Sequence, residues 1–537
     1  MGNIDSNEEK NDMKTVNVVG AGLSGLSAGI TLAKSGIACN LISSQASERA
    51  QSVLAEGGIN AAMDSMGEND TVRDHYEDTM RGGCYLEAES AIQNLTCHAP
   101  EVLRELLRLG VPFRRQNGKL ILRSFGGQKK KRTAYTKAGT GKTIMTALID
   151  EARRYEVEGL IQRWDHYTLV GIKITERSLT SITIKDEYTG KVLEMSGPAI
   201  LCTGGMNGIF DEMTTGTTQN TGNADAIAFD AGVCFANLEF IQYHPTTIGI
   251  SNKRMLISEA ARGEGGRLYI LRKGEPWYFM EEKYPVLKNL MPRDVVSREM
   301  VLVTQEKECE GDIYLDMTSI EENVWKEKLS DLRSEIISYT HLDPKTTPIP
   351  VSPGIHFFMG GMRVDDGHET EIRGLYAAGE AACKYHGANR LGGNSMLGAI
   401  FGGSTAAKSA IERASEVTIH DSKEAAPETE TAWCKARLRD ILMESLGIVR
   451  TAEQMKRGLA EMKKLYNSPK LTVMDQKRVR LCMAMIKAAI GREESRGAHY
   501  RTDFPETKDE FQKISCARWK NGAIDLRFVP AENWKET

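Results

Sequence analysis

Three features of this 537-residue chain carry residue types and spacings that could do chemistry. The first is Gly20-Ala-Gly22-Leu-Ser-Gly25. Glycines at this spacing allow a tight turn at Gly20, close approach of backbone N–H groups to a diphosphate at Gly22, and close helix packing at Gly25. The second is Glu259 with Arg262, which lie three apart and would share one helix face as an ion pair. The third is Arg390, a planar fork suited to a carboxylate, set between Gly387 and Gly392-Gly393 where backbone can approach a ligand.

Composition bounds what these groups serve. Fifty glycines exceed the roughly 38 expected at about 7% usage. They clump into eight doublets, at 57–58, 82–83, 126–127, 204–205, 265–266, 360–361, 392–393 and 402–403. Only 15 prolines accompany them, so the composition is not that of a disordered chain. A net charge of −4 argues against nucleic acid as the main partner. No apolar run approaches the ~18 residues of a membrane span. The leader at 1–14 is acidic and amide-rich, reads as disordered, and lacks the apolar stretch of a signal peptide. None of the ten cysteines forms a C-x-x-C pair, which excludes the usual iron–sulfur, zinc-ribbon and c-haem signatures. The expectation is a cytoplasmic protein of two to four domains without a metal site of its own.

The glycine turn needs elements around it. Residues 15–19 read as a buried strand, 26–34 as a helix with Gly36 just beyond its end, and 37–42 as a second strand. This is the strand–turn–helix–strand setting a dinucleotide fingerprint requires. The second strand ends Ile42-Ser43-Ser44, without the acidic residue that usually grips a ribose, which disfavours a plain NAD site. Residues 71–127 read as mostly helical, ending in a loop at 124–127. Strands are expected at 182–185 and 193–201, mixed helices and loops at 240–350, a buried strand at 372–380 and a glycine-rich helix at 397–413. A polar linker covers 414–430, and Leu, Met, Ala and Ile at helical spacing predict a helical bundle at 431–491.

Further motifs follow in order: Ala55-Glu56-Gly57-Gly58-Ile59, Phe125-Gly126-Gly127, Thr203-Gly204-Gly205, His244-Pro245-Thr246 and Ser258-Glu259-Ala-Ala-Arg262-Gly-Glu264. Then come Pro292-Arg293-Asp294, His356-Phe-Phe-Met-Gly360-Gly361, Ala378-Gly379-Glu380, His386-Gly387-Ala388-Asn389-Arg390 and Arg492-Glu-Glu-Ser-Arg496-Gly-Ala-His499. Together, over residues 15–505, they resemble the flavoprotein subunits of fumarate reductase and succinate dehydrogenase, the wider family that includes L-aspartate oxidase.

The resemblance implies an α/β protein: a Rossmann-like FAD-binding domain (15–239 and 352–420) interrupted by an α+β capping domain (240–351), then a C-terminal helical domain and tail (421–537). It implies FAD held by Gly20, Gly22, Ser24, Gly25, Ser43, Ser52, Ala55, Glu56, Gly57, Gly58, Thr203, Gly204, Gly205 and Asn223. Glu380 would grip the ribose in place of Ser43, and Asn394, Ser395 and Leu397 would stand at the flavin ring. Covalently flavinylated members carry a His where this chain has Gln51, so non-covalent FAD is expected. Thr221-Gly222-Asn223-Ala224 departs from the usual T-G-D-G.

By the same resemblance a C4 dicarboxylate, fumarate or succinate, would meet Phe125, Gly58, His244, Ser258, His356, Arg390 and Gly393. Arg293 would be the proton donor, with Glu259 and Arg262 relaying protons. Guanidinium hardly deprotonates, so Arg293 would pass a proton only as Glu259 replaces it. An iron–sulfur or other electron-transfer subunit would be the partner, with peripheral membrane association through it. Alternatives are an L-aspartate oxidase-like enzyme, a reductase of another enoate, or an electron-transfer scaffold. Phe125 stands where aspartate oxidases carry an acidic residue to face an ammonium. Glu56 gives the A-E-G-G form nearer fumarate reductases. The run Lys129-Lys130-Lys131-Arg132 could draw in a dianion, though a solvated basic face is the favoured reading.

Overall fold

The computed structural model describes residues 13–137 and 139–532, so residues 1–12 of the leader lie outside the described residues. Its first unit is a five-stranded parallel sheet ordered Leu375–Ala377, Ala199–Leu201, Thr15–Val19, Ala38–Ser43, Ile161–Asp165. The strands Thr15–Val19, Ala199–Leu201 and Leu375–Ala377 are short and mostly apolar because both faces are covered. Helices such as Leu23–Lys34 cover one face, and antiparallel strands carrying Leu169, Ile182, Ile184 and Leu193 cover the other together with the helix Asn223–Asp230. The glycine turn feeds the helix Leu23–Lys34. That helix starts three residues before the predicted 26, because Ser24 and Gly25 already lie in its first turn. A side chain at Gly25 would overlap the Gly20 carbonyl, which is why the turn closes so tightly.

The helix Asn394–Ile411 crosses Leu23–Lys34 directly, and a side chain at Gly403 would overlap the Ser24 backbone. The doublet at 402–403 therefore lets two helices approach.

Residues 240–350 hold more strand than the sequence reading gave them. A six-stranded antiparallel sheet runs Lys253–Leu256, Ile241–Ile250, Ile349–Phe358, Cys309–Asp316, Arg267–Arg272, Glu275–Trp277. The helix Arg293–Thr304 packs on this sheet over Val296, Met300 and Val303.

Four local readings are corrected. The 71–127 stretch is helical only at Val72–Gly82 and Glu89–Arg108. Beyond them Asn117 and Gly118, both with positive φ, turn a small hairpin pairing Arg115 with Leu120. The predicted strand at 193–201 divides at Gly197-Pro198 into Val192–Ser196 and Ala199–Leu201, which join different sheets. The strand at 372–380 shrinks to Leu375–Ala377 between Gly374 and Gly379, both at positive φ. The polar linker contributes Ile419–Asp421 to the antiparallel sheet beside Val192–Ser196.

The C-terminal helices Ala432–Ser445, Ala452–Tyr466 and Val473–Gly491 each start from a Thr whose hydroxyl accepts a backbone N–H. After them the chain forms a hairpin, Ile514–Lys520 with Ala523–Val529, which joins a sheet with Phe235–Ala236 and Gly361–Arg363. The Arg492–His499 motif anchors the site from behind. Arg492 Nε meets Glu239 at 2.7 Å, Glu494 takes Arg492 and Arg496 at 2.9 and 2.8 Å, and Ala498 N donates to Ala388 O at 2.9 Å. These bonds hold the start of the strand bearing His244 and the loop bearing Arg390. No helix among the described residues is long and apolar enough to cross a membrane.

Candidate functional site

One elongated cavity runs from the parallel sheet to the capping sheet. The helices Leu23–Lys34, Asn223–Asp230 and Asn394–Ile411 begin on Gly22, Gly222 and Gly393, none supplies a side-chain cap, and all three glycines line the cavity. Uncapped N–H groups at three positive helix ends make an anion cradle. Cradle glycines are required sterically: Gly20 has φ +112° and a side chain there would overlap the Cys202 carbonyl. Gly393, at φ +83°, would overlap Asn60.

Gly20, Gly22, Ser24, Ser43, Ser52, Ala55, Glu56, Gly57, Gly58, Thr203, Gly204, Gly205, Asn223, Glu380 and Ser395 line this cavity. Gly25, Asn394 and Leu397 do not line it. Asn394 instead takes hydrogen bonds from Asn60 at 2.7 Å and gives one to Thr79 at 3.0 Å, with His75 Nε2 at 3.0 Å, fixing the helix start from behind. Thr203 Oγ1 and Asn223 Oδ1 are buried without a described partner. Those orphaned atoms, the three helix ends and the carboxyl groups of Glu380 and Asp225 fit the diphosphate and hydroxyls of FAD. Burial pushes Glu380 up to about 7; for Asp225, burial and then the Glu380 charge push it up to about 8. Asn223 itself turns to Glu430 at 2.8 Å.

Gln51 also lines the cavity, its Oε1 accepting the backbone N–H of Thr217. Glu56 is pushed up to about 8, first by burial, then by Glu335, against the opposing charge of Arg123. Phe125 is buried in the cavity wall against Gly57 and Gly392, with the Arg123 guanidinium 5.1 Å from its ring centre.

At the other end of the cavity stand His244, Ser258, Glu259, Arg293, His356 and Arg390. His244 and His356 sit on paired antiparallel strands, ring centres 5.3 Å apart. Arg293 opens its helix after Pro292, and its Nε donates to Glu259 Oε2 at 3.0 Å. Glu259 Oε1 accepts Gly126 N at 2.6 Å and lies 3.9 Å from Arg262. Burial opposes the charge of Glu259, but Arg293 and Arg262 outweigh it and hold the carboxyl below its ordinary range. Arg262 does not line the cavity; its side chain is 0% exposed and its NH1 donates to Asn289 O. Burial, then the Arg293 charge, holds both imidazoles well below the usual histidine range. Burial and Arg293 likewise push Arg390 down to about 9.

Gln242 joins this end and was not found from the sequence. Its fully buried Oε1 accepts Arg390 NH2 at 2.9 Å and Arg293 NH1 at 3.3 Å, while its Nε2 donates to Asn389 Oδ1 and Arg390 O. Its position two residues before His244 on a strand, hence on the same face, was the available signal. Thr215 touches His356 Nδ1 at 2.8 Å, and Phe357 lies 4.5 Å beneath Arg390. The basic run does not face the cavity as free charge. Lys129, Lys130 and Lys131 pair with Glu77, Asp74 and Glu68, and buried Arg132 with Asp70 and Asp78.

Residues 15–396 match the FAD binding domain family, and residues 435–535 the family described as fumarate reductase flavoprotein C-term. The chain is 35% identical to the succinate dehydrogenase flavoprotein subunit of Bacillus subtilis, covering 93% of each. It is 33% identical to L-aspartate oxidase of Pyrococcus furiosus, over 94% of this chain and 99% of that one. Among solved structures, E. coli quinol fumarate reductase superposes with a TM-score of 0.86 at 26% identity, covering 97% of both chains.

Proposed function

The chain belongs to the family of succinate dehydrogenase and fumarate reductase flavoproteins, and from that premise we propose that it interconverts fumarate and succinate with FAD in the cradle. It is an FAD-dependent oxidoreductase. When bound, FAD supplies the hydride acceptor and donor. The observation that carries the reading is the convergence of His244, His356, Arg390 and Arg293 on one end of the FAD-fitting cavity, with Arg293 seated against Glu259.

Arg390 and the two imidazoles hold the carboxylates of a C4 dicarboxylate. The Gln242 oxygen bridges the guanidinium groups of Arg390 and Arg293, accepting one bond from each, so each retains N–H groups for the ligand. Arg293 gives the proton to the substrate carbon; Glu259, ionised at rest beside it, takes up a proton relayed from solvent by way of Arg262 and passes it to Arg293. Phe125 and the glycines behind it exclude water from the apolar face of the alkene. An amino acid substrate would bring an ammonium to Phe125 and the Arg123 cation, where the neighbouring carboxylate of Glu259 is already committed to Gly126 N and Arg293. Electrons pass to and from a partner subunit.

The deciding experiment is fumarate reduction by reduced viologen with FAD-loaded protein. Activity in the wild type, lost in Arg293→Ala, is expected; a loaded wild type inert to fumarate but producing peroxide from L-aspartate would overturn the reading.

A further inference from the structure

The two imidazoles at the dicarboxylate end are held in different hydrogen-bonding states. His244 Nδ1 lies 3.3 Å from the carbonyl oxygen of Thr246 and 3.5 Å from its hydroxyl. That hydroxyl spends its proton on Ile257 O at 2.9 Å, so neither neighbour can donate to Nδ1. Nδ1 must therefore carry the hydrogen, and in the neutral ring Nε2 is a bare lone pair. Nε2 is buried, has no hydrogen-bond partner among the described residues, and belongs to a ring in the cavity wall.

His356 differs. Its Nδ1 lies 2.8 Å from the Thr215 hydroxyl. The other acceptor near that hydroxyl, Ile355 O, already takes Thr215 N at 2.8 Å and lies farther from the hydroxyl than Nδ1, at 3.3 Å. The Thr215 hydroxyl is free to donate to Nδ1, which leaves neutral His356 with an Nε2–H to offer a carboxylate.

A carboxylate oxygen facing the His244 lone pair would be repelled. Resting on the dicarboxylate reading, we propose that His244 takes up one proton at Nε2 when the dicarboxylate binds, whereas His356 donates to it without changing charge. One N–H bond forms, the proton comes from solvent, and no electrons move. The groups facing His244 account for its neutral resting state: burial, Arg293 on its helix, His356 on the adjacent strand and Arg262 on the segment after Ser258. All three neighbours are basic. Behind them Glu259 pairs with Arg293 and Arg262, one carboxylate against two guanidinium groups, so a bound dianion adds negative charge beside the ring and reverses the balance.

Calorimetry of malonate binding to the oxidised, FAD-loaded protein near pH 7.5, in two buffers of different ionisation enthalpy, counts the protons. About one proton per malonate is expected, with affinity falling about tenfold for each pH unit above neutrality. In His244→Gln the carboxamide can donate without titrating, so binding should proceed with no uptake, while FAD absorbance confirms an intact fold. His356→Gln should keep the one-proton uptake. Wild-type binding without proton uptake, or uptake that survives in His244→Gln, overturns the proposal. A loaded wild type that does not bind malonate overturns the dicarboxylate reading instead.

Discussion

Glu259 is bound to Arg293 through Nε and Oε2 at 3.0 Å, with the two side chains 3% and 11% exposed. The carboxylate is thus committed to the residue proposed to protonate the substrate, and its other oxygen is committed to Gly126 N. Glu259→Gln keeps the shape and removes the carboxylate that takes up and relays the proton. Fumarate reduction should fall by about 10²–10⁴ in kcat, the range for losing a proton-transfer partner. KM should change little, because His244, His356 and Arg390 are left in place. Steady-state kinetics with reduced viologen separates the two constants.

Gln242 holds two cationic groups with one neutral oxygen. Gln242→Glu would replace that oxygen with a carboxylate, forming buried ion pairs with Arg390 and Arg293. The variant should be at least as stable to heat, since both guanidinium groups gain a counter-charge. It should also repel the dianion, raising KM at least tenfold, as a like charge at roughly 4–6 Å in a poorly hydrated site would. Gln242→Leu should lower kcat as well, because Arg293 loses a bond that orients it. Thermal melts and fumarate titration distinguish the two variants.

How much of this was legible in the sequence depended on whether the signal was local. The glycine turn was readable because Gly20, Gly22 and Gly25 each answer to a nearby steric demand, and Thr15–Val19 was found at its true bounds. Gln242 was not, because its role comes from two arginines 51 and 148 residues away. The α+β capping domain came from the resemblance, whereas its individual strands had no local signal because their register depends on distant pairs such as Tyr243 with Ile355. The Asn117-Gly118 hairpin, by contrast, carried a local turn signal that the helical periodicity around it masked. The ionic role of Lys129–Lys131 was a matter of tertiary pairing, and each lysine meets a carboxylate across the fold.

Gln51 leads us to predict non-covalent flavin. Its carboxamide oxygen is tied to Thr217 N inside the cavity, and an amide offers no imidazole nitrogen for a histidyl–flavin bond. Acid precipitation of the holoenzyme should leave the yellow colour in the supernatant, and the denatured pellet should show no flavin fluorescence on a gel. Colour retained by the pellet would refute non-covalent binding.

Glu87 gives the fold a pH dependence that can be isolated from the active site, because it does not line the cavity. Its carboxyl is packed under Gly83 and Gly387, with Oε2 accepting Leu86 N at 3.1 Å and Oε1 without a described partner. Burial, opposed by its own N–H and that of Leu86, pushes it up to about 8. The folded state therefore binds a proton that the unfolded chain, with an ordinary glutamate near 4.5, has already released. Stability from this group is complete below the unfolded value and is lost as pH rises through about 8. Glu87→Gln keeps a neutral polar group of the same shape, so its stability should fall less steeply between pH 6 and 8. The difference in slope should approach one proton, about 1.4 kcal/mol per pH unit. Denaturant midpoints of the FAD-loaded proteins at pH 6, 7 and 8.5 measure it, with the variant already the more stable of the two at pH 6 and its advantage widening toward pH 8.5.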